Sequence, residues 1–225
     1  MKRTPEPDLM NDAGQARAYA EADFEQPHAQ FVELFRQQFP QFDVIGSVLD
    51  LGCGPCDISW RFARAYPDCR IDAVDGAEAM LVHAQELIEQ RGLQARIHLH
   101  RCYLPGDALP AATYDVIISN SLLHHLNDSQ VLWRSIVQGA VSGAAIFVMD
   151  LMRPASKKQA QALVDEYAAS EPDILRHDFY HSLLAAYTVD EVREQLAIAG
   201  LDELQVQAVS DRHVIISGIL AIQGD

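Results

Sequence analysis

Basic residues are scarce in this sequence of 225 residues. Lysine and arginine together number 17, against 32 aspartates and glutamates, so the formal net charge at pH 7 is −15. A surface with this charge repels phosphate backbones and anionic lipid headgroups. The basic residues also form no cluster along the sequence. We therefore expect neither nucleic acid nor a membrane surface among the partners.

Long apolar runs and a secretory leader are also missing. No apolar run reaches the ~18 residues that a membrane-spanning helix needs, and residues 1–11 lack the apolar segment of a signal peptide. Cysteine is sparse, with four residues, which is typical of a reducing compartment in which thiols stay free. These absences predict a cytoplasmic location.

Strand and helix patterns alternate along most of the chain. Five β-type segments begin near residues 48, 70, 96, 115 and 144, and helical patterns separate them. Two final β-rich runs, 203–209 and 213–220, predict a closing hairpin. This order predicts an α/β fold: a Rossmann-like, doubly wound, mostly parallel seven-stranded sheet with an antiparallel strand at its C-terminal edge.

The length and the hydrophobic content of 49% predict one domain over residues 1–225. Apolar residues at helical spacing over 27–39 predict a helix, so that residues 1–40 form an N-terminal helical arm. Residues 153–187 interrupt the alternation with a helical, polar and aromatic segment. Because ligands of open α/β sheets bind beyond the carboxyl ends of the strands, we expect this segment to be a lid on the acceptor side.

The segment VLDLGCGPC, residues 48–56, is the most informative part of the chain. Its apolar run breaks at Gly52 and Gly54, whose conformational freedom lets the backbone turn tightly and approach a ligand. The helix that follows directs unpaired N–H groups over the turn, and we expect Asp57 to cap it. A second acid, Asp75, ends the next strand. This layout predicts a nucleotide-type site.

Three other interpretations of the turn are open at this point. It can connect a strand to a helix without any ligand. A dinucleotide-binding oxidoreductase requires G-x-G-x-x-G, but Asp57 stands at the third glycine, where its charge opposes a pyrophosphate. The run Cys53-Gly-Pro-Cys56 resembles the redox motif of thioredoxins, although Gly52 stands where they place tryptophan.

The run Val48-Leu-Asp-Leu-Gly-Cys-Gly54 resembles motif I of class I S-adenosylmethionine (SAM)-dependent methyltransferases, and the likeness extends over about 45–220. The run DVIISNSLLHH from Asp115 is similar to motif IV, and residues 148–154 are similar to the end of strand five in small-molecule members. The resemblance implies an enzyme that transfers a methyl group from SAM to a small molecule and leaves S-adenosylhomocysteine as product. It implies these cofactor-binding residues: Asp50, Gly52, Cys53, Gly54, Asp75, Gly76, Met80, Cys102, Tyr103, Asn120 and Ser121.

Two positions depart from the family pattern. Cys56 stands where the family usually has a third glycine, so its side chain is expected to point away from the cofactor. The family often places an aspartate after strand three for the adenine amine, but Arg101-Cys102-Tyr103 occupies that stretch. Backbone groups of Cys102 or Tyr103 are expected to serve instead.

Two groups of side chains are the catalytic candidates. His124 and His125 follow strand four at the expected mouth of the site; they can act as a base, or they can cap a helix or pack under the cofactor. The run Asp178-Phe-Tyr-His181 lies in the lid, and Tyr180 is its catalytic candidate. Tyr19 and Phe24 of the arm are candidates for closing over SAM.

We expect no metal site, and we expect a monomer or a homodimer. The alternative functions are methylation of a protein or an RNA, a SAM-binding protein that transfers no methyl group, and the thioredoxin-like redox protein.

Overall fold

The chain folds into a seven-stranded sheet with helices on both faces. A computed structural model describes residues 1–6, 11–22, 25–111 and 113–221. The strands are Gly46–Leu51 (β1), Cys69–Asp75 (β2), Ile97–Arg101 (β3), Tyr114–Asn120 (β4), Ala140–Leu151 (β5), Gln205–Ala208 (β6) and His213–Leu220 (β7). The helices are Ala13–Glu21 (α1), Glu25–Gln38 (α2), Asp57–Ala65 (α3), Glu78–Arg91 (α4), Gln130–Gly139 (α5), Lys157–Tyr167 (α6), Asp173–Ala185 (α7) and Val189–Ala199 (α8). A 3₁₀ turn spans Leu123–His125.

The strand order in the sheet is β3-β2-β1-β4-β5-β7-β6. Strands β1 to β5 are parallel, and β7 runs antiparallel to β5 and β6. This architecture confirms the predicted doubly wound, mostly parallel sheet with its closing hairpin. Because β1 pairs with β2 on one side and β4 on the other, the loops after these strands diverge and leave a cleft at their carboxyl ends.

Alternating side chains of each central strand build two apolar layers. Val48 of β1 faces the layer beneath α2 and α3, and the next residue, Leu49, faces the layer beneath α5 and α8. In the first layer the ring of Phe31 meets that of Phe147 edge to face, with centroids 4.9 Å apart. Burying a phenylalanine stabilises the fold by ~1.5–3 kcal/mol. This layer therefore holds α2 and α3 firmly against the sheet behind the cleft.

The helix ends follow the sequence signals with one exception. Thr188 and Glu191 form the capping box of α8, and Gly92 ends α4 in the left-handed conformation. The expected cap at Asp57 is wrong, because Cys56 occupies the N-cap position with φ +66° and Asp57 is already helical. Its carboxylate instead accepts hydrogen bonds from the side chains of Trp60 and Arg61.

The arm and the lid lie over the carboxyl ends of the strands. Ala16 of α1 packs against Ala77 and Met80 beside α4, and α6 packs against α7 through buried leucines. Residues 1–6 cross this surface, where the Thr4 N–H donates to the Leu184 carbonyl at 3.0 Å. Within the described residues, no helix is long and apolar enough to cross a membrane.

Candidate active site

The turn after β1 forms the floor of a cavity. The N–H groups of Gly52 and Cys53 donate to the Val74 carbonyl at 2.9 and 3.0 Å, which joins the turn to β2. A Cβ on Gly52 (φ +72°) would lie 2.9 Å from Leu122, whereas one on Gly54 (φ +52°) would meet nothing within 4 Å. Packing therefore excludes a side chain at the first glycine, while the second opens directly onto the cavity.

Asp75 is held at the end of β2 by two backbone groups. The Gly54 N–H donates to Oδ2 at 2.8 Å, and the Ala77 N–H donates to Oδ1 at 2.7 Å. Burial raises the pKa of this carboxyl group, and the two hydrogen bonds oppose the rise. A carboxylate has about four lone-pair sites, so both oxygens keep acceptor capacity toward the cavity.

Asp50 lies beneath the same turn and is 1% exposed. The Ser59 hydroxyl donates to its Oδ2 at 2.5 Å. Burial raises the pKa of this carboxyl group to about 7, with a further contribution from the charge of Asp75. The charge of Asp50 therefore changes near neutral pH.

The cysteines of the turn are buried free thiols. The side chain of Cys56 lies in the apolar core and away from the cavity, as expected, and its backbone adopts φ +66°, a conformation typical of glycine. The hydrogen bond to Cys56 and burial raise the pKa of the Cys53 thiol well above its usual value. A redox-active motif requires a lowered thiol pKa, so the surroundings of Cys53 do not favour the thioredoxin interpretation.

The stretch after β3 lines the cavity without an aspartate. The Cys102 N–H donates to the Asp75 carbonyl at 3.0 Å, and Tyr103 and Leu104 continue the wall. Asp107 accepts from the Tyr103 N–H at 2.8 Å and does not line the cavity. It stabilises the turn, so the groups here that face a ligand come from Cys102 to Leu104.

The two histidines after β4 meet two carboxylates. His124 Nδ1 lies 2.5 Å from Asp150 Oδ1, and Glu6 Oε1 lies 3.4 Å from His124 Nε2 and 3.3 Å from His125 Nδ1. Burial disfavours a charged imidazole, but the carboxylates of Asp150 and Glu6 outweigh it and raise the pKa of His124. His124 is therefore a buried group held in one orientation.

The cavity has a volume of about 550 Å³. Every cofactor-binding residue predicted from the sequence lines it, as do His124 and His125. The structure brings these residues together from the ends of β1, β2, β3 and β4. This gathering follows from the parallel arrangement of those strands, whose carboxyl ends share one edge.

Tyr180, the catalytic candidate of the lid, does not line this cavity, so its position does not support the predicted role. On α7 the lining residues are Leu175, Asp178, Phe179 and Ser182, at the spacing of one helix face. Tyr180 lies on another face and borders a separate depression between α6 and α7. Counting the helical period from Leu175 along the sequence separates the residues of these two faces.

Tyr19 of the arm lines the cavity, and burial raises its pKa to about 12. Phe24, the second predicted arm residue, lies outside the described residues. Further lining residues, absent from the sequence prediction, come from four separate regions: His28, Asp57, Tyr167, Glu171, Arg212 and His213. No single motif contains them, and only the fold brings them together.

His28 Nδ1 and Asp57 Oδ2 lie 2.5 Å apart, in hydrogen-bond contact, and both residues line the cavity. Burial opposes the charge of Asp57, but hydrogen bonds from His28, Arg61 and Trp60 hold the pKa of its carboxyl group well below the usual value. The Arg212 guanidinium lies over the Tyr167 ring, 3.3 Å from its centroid, and these two residues also line the cavity. The wall of the cavity thus includes the carboxylate of Asp57 and the guanidinium of Arg212.

Comparison with known proteins identifies the domain. Residues 48–139 match the family described as a methyltransferase domain. The chain is 41% identical over 75 residues, 32% of its length, to release factor glutamine methyltransferase of Gloeobacter violaceus. It is 26% identical over 160 residues, 66% of its length, to trans-aconitate 2-methyltransferase of Yersinia pestis. The matched parts span 25% and 57% of these two relatives.

The fold has a similar solved structure over nearly its whole length. A putative SAM-dependent methyltransferase from Methanococcus maripaludis superposes with a TM-score of 0.72 at 17% identity, covering 98% of this chain and 99% of that one. At this identity the likeness concerns the fold. Residues 48–139 thus match a methyltransferase domain, and the fold around them is similar to that of a SAM-dependent methyltransferase.

Proposed function

We propose that this protein transfers a methyl group from SAM to a small-molecule acceptor. The observation that carries the proposal is that one cavity contains both the glycine turn with Asp75 and a separate polar wall from α7 and the β6–β7 turn. When bound, SAM supplies a methyl group that is already electrophilic because its sulfur is positively charged. The protein then has to hold two ligands in one orientation.

The residues at the turn fit SAM. The Asp75 oxygens keep lone pairs for two ribose hydroxyls, and Gly54 leaves room for close approach. Met80 and Leu104 provide apolar surface for a base. The carboxylates of Asp50 and Asp57 line the same end of the cavity, where negative charge favours a ligand carrying an ammonium and a sulfonium group.

The dimensions of the cavity support a small acceptor. Its volume of about 550 Å³ falls within the range of roughly 300–1,000 Å³ found for small-molecule sites. The lid contributes Tyr167, Glu171 and Asp178 to the wall, and Leu175 between them is 7% exposed. A cavity that the lid covers in this way favours an acceptor small enough for the lid to enclose. The similarity to a trans-aconitate methyltransferase points the same way.

The protein contributes mainly by positioning. Holding a nucleophile in line with the S–CH₃ bond and excluding water can supply several kcal/mol of the barrier, roughly 7–11 in favourable cases. The lid and the arm residue Tyr19 enclose the space above the turn. His124 and His125 border it, and we assign them to orient the acceptor where the nucleophile is a hydroxyl or an amine.

The first experiment is calorimetry with S-adenosylhomocysteine. Asp75→Asn is expected to weaken binding at least about tenfold, because a hydrogen bond to a charged acceptor contributes ~1.5–3 kcal/mol. Asp68→Asn, at an exposed position in the preceding turn, is the matched control and is expected to bind like the wild type. Absence of binding to the wild type, or equal binding to both variants, contradicts the proposal.

The second experiment identifies the acceptor class. Cell extract is separated into small molecules, proteins and RNA, and each fraction is incubated with the protein and methyl-labelled SAM. We expect label in the small-molecule fraction. The 41% identity to a release factor methyltransferase favours a protein acceptor as the second candidate, and label confined to the protein fraction would establish it.

A further inference from the structure

We propose that Glu6, His124 and His125 form a binding site for a divalent transition-metal ion such as Zn²⁺. One atom of each residue, a carboxylate oxygen or a ring nitrogen, lies within 4.8 Å of the other two. The sequence predicts no metal site, since the two histidines are adjacent but the carboxylate is 118 positions away. The fold brings the third ligand to them.

The distances suit a metal ion. Glu6 Oε1 is 3.4 Å from His124 Nε2 and 3.3 Å from His125 Nδ1, which is longer than a common N–H···O hydrogen bond of about 2.9–3.0 Å. Two ligands that each lie about 2.0–2.1 Å from a tetrahedral Zn²⁺ are separated by about 3.3–3.4 Å. Two of the three pairs of ligand atoms thus already have the spacing of a tetrahedral coordination sphere, and the third pair lies within 4.8 Å.

Asp150 fixes the orientation of the first histidine. Its Oδ1 lies 2.5 Å from His124 Nδ1, and the N–H groups of Leu123 and Leu151 donate to the Asp150 carboxylate at 2.7 and 2.6 Å. A histidine that binds a metal usually donates its other ring N–H to such a carboxylate. With Nδ1 facing Asp150, Nε2 is the ring nitrogen that faces Glu6, and a bound metal ion takes the place of any proton on it.

Glu6 is held in place by its own segment and by the lid. The Arg3 guanidinium donates to the backbone carbonyls of His124 and Ala185 at 2.8 and 2.5 Å, and the Ser182 hydroxyl donates to Glu6 Oε1 at 3.1 Å. Residues 1–6 are thereby attached to the turn that carries both histidines. The site is arranged before any ion binds, which lowers the entropic cost of binding.

The chemical types of the three ligand atoms determine which metal ions the site favours. Two imidazole nitrogens and one carboxylate suit Zn²⁺, Co²⁺ or Fe²⁺, whereas Ca²⁺ and Mg²⁺ prefer oxygen ligands. Three protein ligands leave at least one position open, as in catalytic zinc sites. His124, His125 and Ser182 line the large cavity, so an acceptor oxygen can take the open position. That last role, unlike binding of the ion, rests on the proposed function.

The test is metal binding by the full chain after treatment with a chelator and dialysis. Titration with Co²⁺, followed by visible absorption, is expected to saturate at one equivalent, and Zn²⁺ is expected to displace the signal. Glu6→Gln and His125→Gln are each expected to weaken binding at least about tenfold. His181→Gln is the matched control, because that histidine borders the separate depression between α6 and α7.

Folding and cofactor binding are followed in parallel. Circular dichroism and the affinity for S-adenosylhomocysteine are expected to be unchanged in Glu6→Gln, so a loss of metal reports the site itself. No saturable Co²⁺ binding by the wild type, or equal binding by wild type, Glu6→Gln and His125→Gln, overturns the proposal and leaves a cluster that only shares a proton. Methyl transfer that persists without metal would leave the proposed function intact while removing the role of the ion.

Discussion

The backbone N–H of Gly54 donates to Asp75 Oδ2 at 2.8 Å, which locks the turn after β1 to the end of β2. The turn is therefore positioned by the side chain that is proposed to bind the ribose. Placement of the turn and recognition of the cofactor depend on the same carboxylate.

Replacing either glycine of this turn by alanine is predicted to lower the stability of the protein, for a different reason at each position. Gly52→Ala should lower the free energy of unfolding by about 2–4 kcal/mol, because it combines a left-handed backbone with overpacking against Leu122. Gly54→Ala should lower it by about 1–2 kcal/mol, since only the backbone is strained. Urea unfolding measures both values.

Calorimetry with S-adenosylhomocysteine separates the two variants further. The Cβ added at Gly54 enters the cavity, so this variant should lose more affinity than its small loss of stability explains. Trimming the neighbour in the double variant Gly52→Ala/Leu122→Ala should relieve part of the clash. Equal losses of stability in both single variants would show that packing against Leu122 does not limit the first position.

Asp50 is predicted to make stability fall as pH rises. Its folded pKa of about 7 exceeds the unfolded value of about 3.9, so its stabilising contribution is complete below the unfolded value and is lost as pH rises toward 7. The change is on the order of 4 kcal/mol. Thermal unfolding of wild type and Asp50→Asn between pH 4 and pH 8 measures it. Curves that stay parallel across this range would show that Asp50 is not protonated in the folded protein.

His213 is predicted to make stability fall as pH falls, which is the opposite of the effect of Asp50. Burial, followed by the charge of Arg212, lowers its pKa to about 4 from an unfolded value of about 6.5. Its contribution is complete above the unfolded value and is lost as pH falls toward 4, by on the order of 3 kcal/mol. Replacement by glutamine should flatten this part of the stability profile. If the stability of His213→Gln falls toward pH 4 as steeply as that of the wild type, the prediction is contradicted.

The two faces of α7 are predicted to differ in their effect on methyl transfer. Asp178 lines the cavity and Tyr180 does not, so Asp178→Asn should lower kcat/KM for the acceptor about tenfold or more. Tyr180→Phe should leave kcat/KM unchanged. Asp165→Asn on neighbouring α6 serves as the charge-matched control, because its side chain is exposed and pairs with Arg176. The affinity for S-adenosylhomocysteine should be equal in all three variants.

The cysteines of the turn are predicted to be chemically inert. Because both thiols are buried and the pKa of Cys53 is raised, they should react with a thiol reagent only on unfolding. The folded protein should also fail to reduce insulin with dithiothreitol as the source of electrons. Rapid labelling of Cys53 in the folded state, reduced by S-adenosylhomocysteine, would show that the cavity exposes this thiol.

The sheet and the turn end of the cavity could be predicted because their signals are local. Val48 to Asp57 combines a buried strand, a turn and a helix start within ten residues, and Asp75 ends the following strand. Each of these signals depends on backbone propensity and apolar pattern, and both can be determined from the sequence without the tertiary structure. The capping box at Thr188 was predictable for the same reason.

The other lining residues of the cavity could not be predicted in the same way. His28, Glu171 and Arg212 are spread over 184 positions of sequence, and each follows or precedes an ordinary polar stretch. The prediction for Tyr180 treated a polar and aromatic cluster as a unit, although adjacent helical residues point in different directions. Contacts between distant segments determine this part of the cavity.

The antiparallel direction of β7 has one more consequence. His213 pairs with Leu151 at the carboxyl end of β5, so the short loop before β7 emerges on the same edge as the parallel strands. This brings Arg212 and His213 into the wall of the cavity. Since these two residues belong to the wall proposed for the acceptor, exchange of residues 205–220 between related chains is expected to change acceptor preference while the glycine turn and Asp75 stay the same.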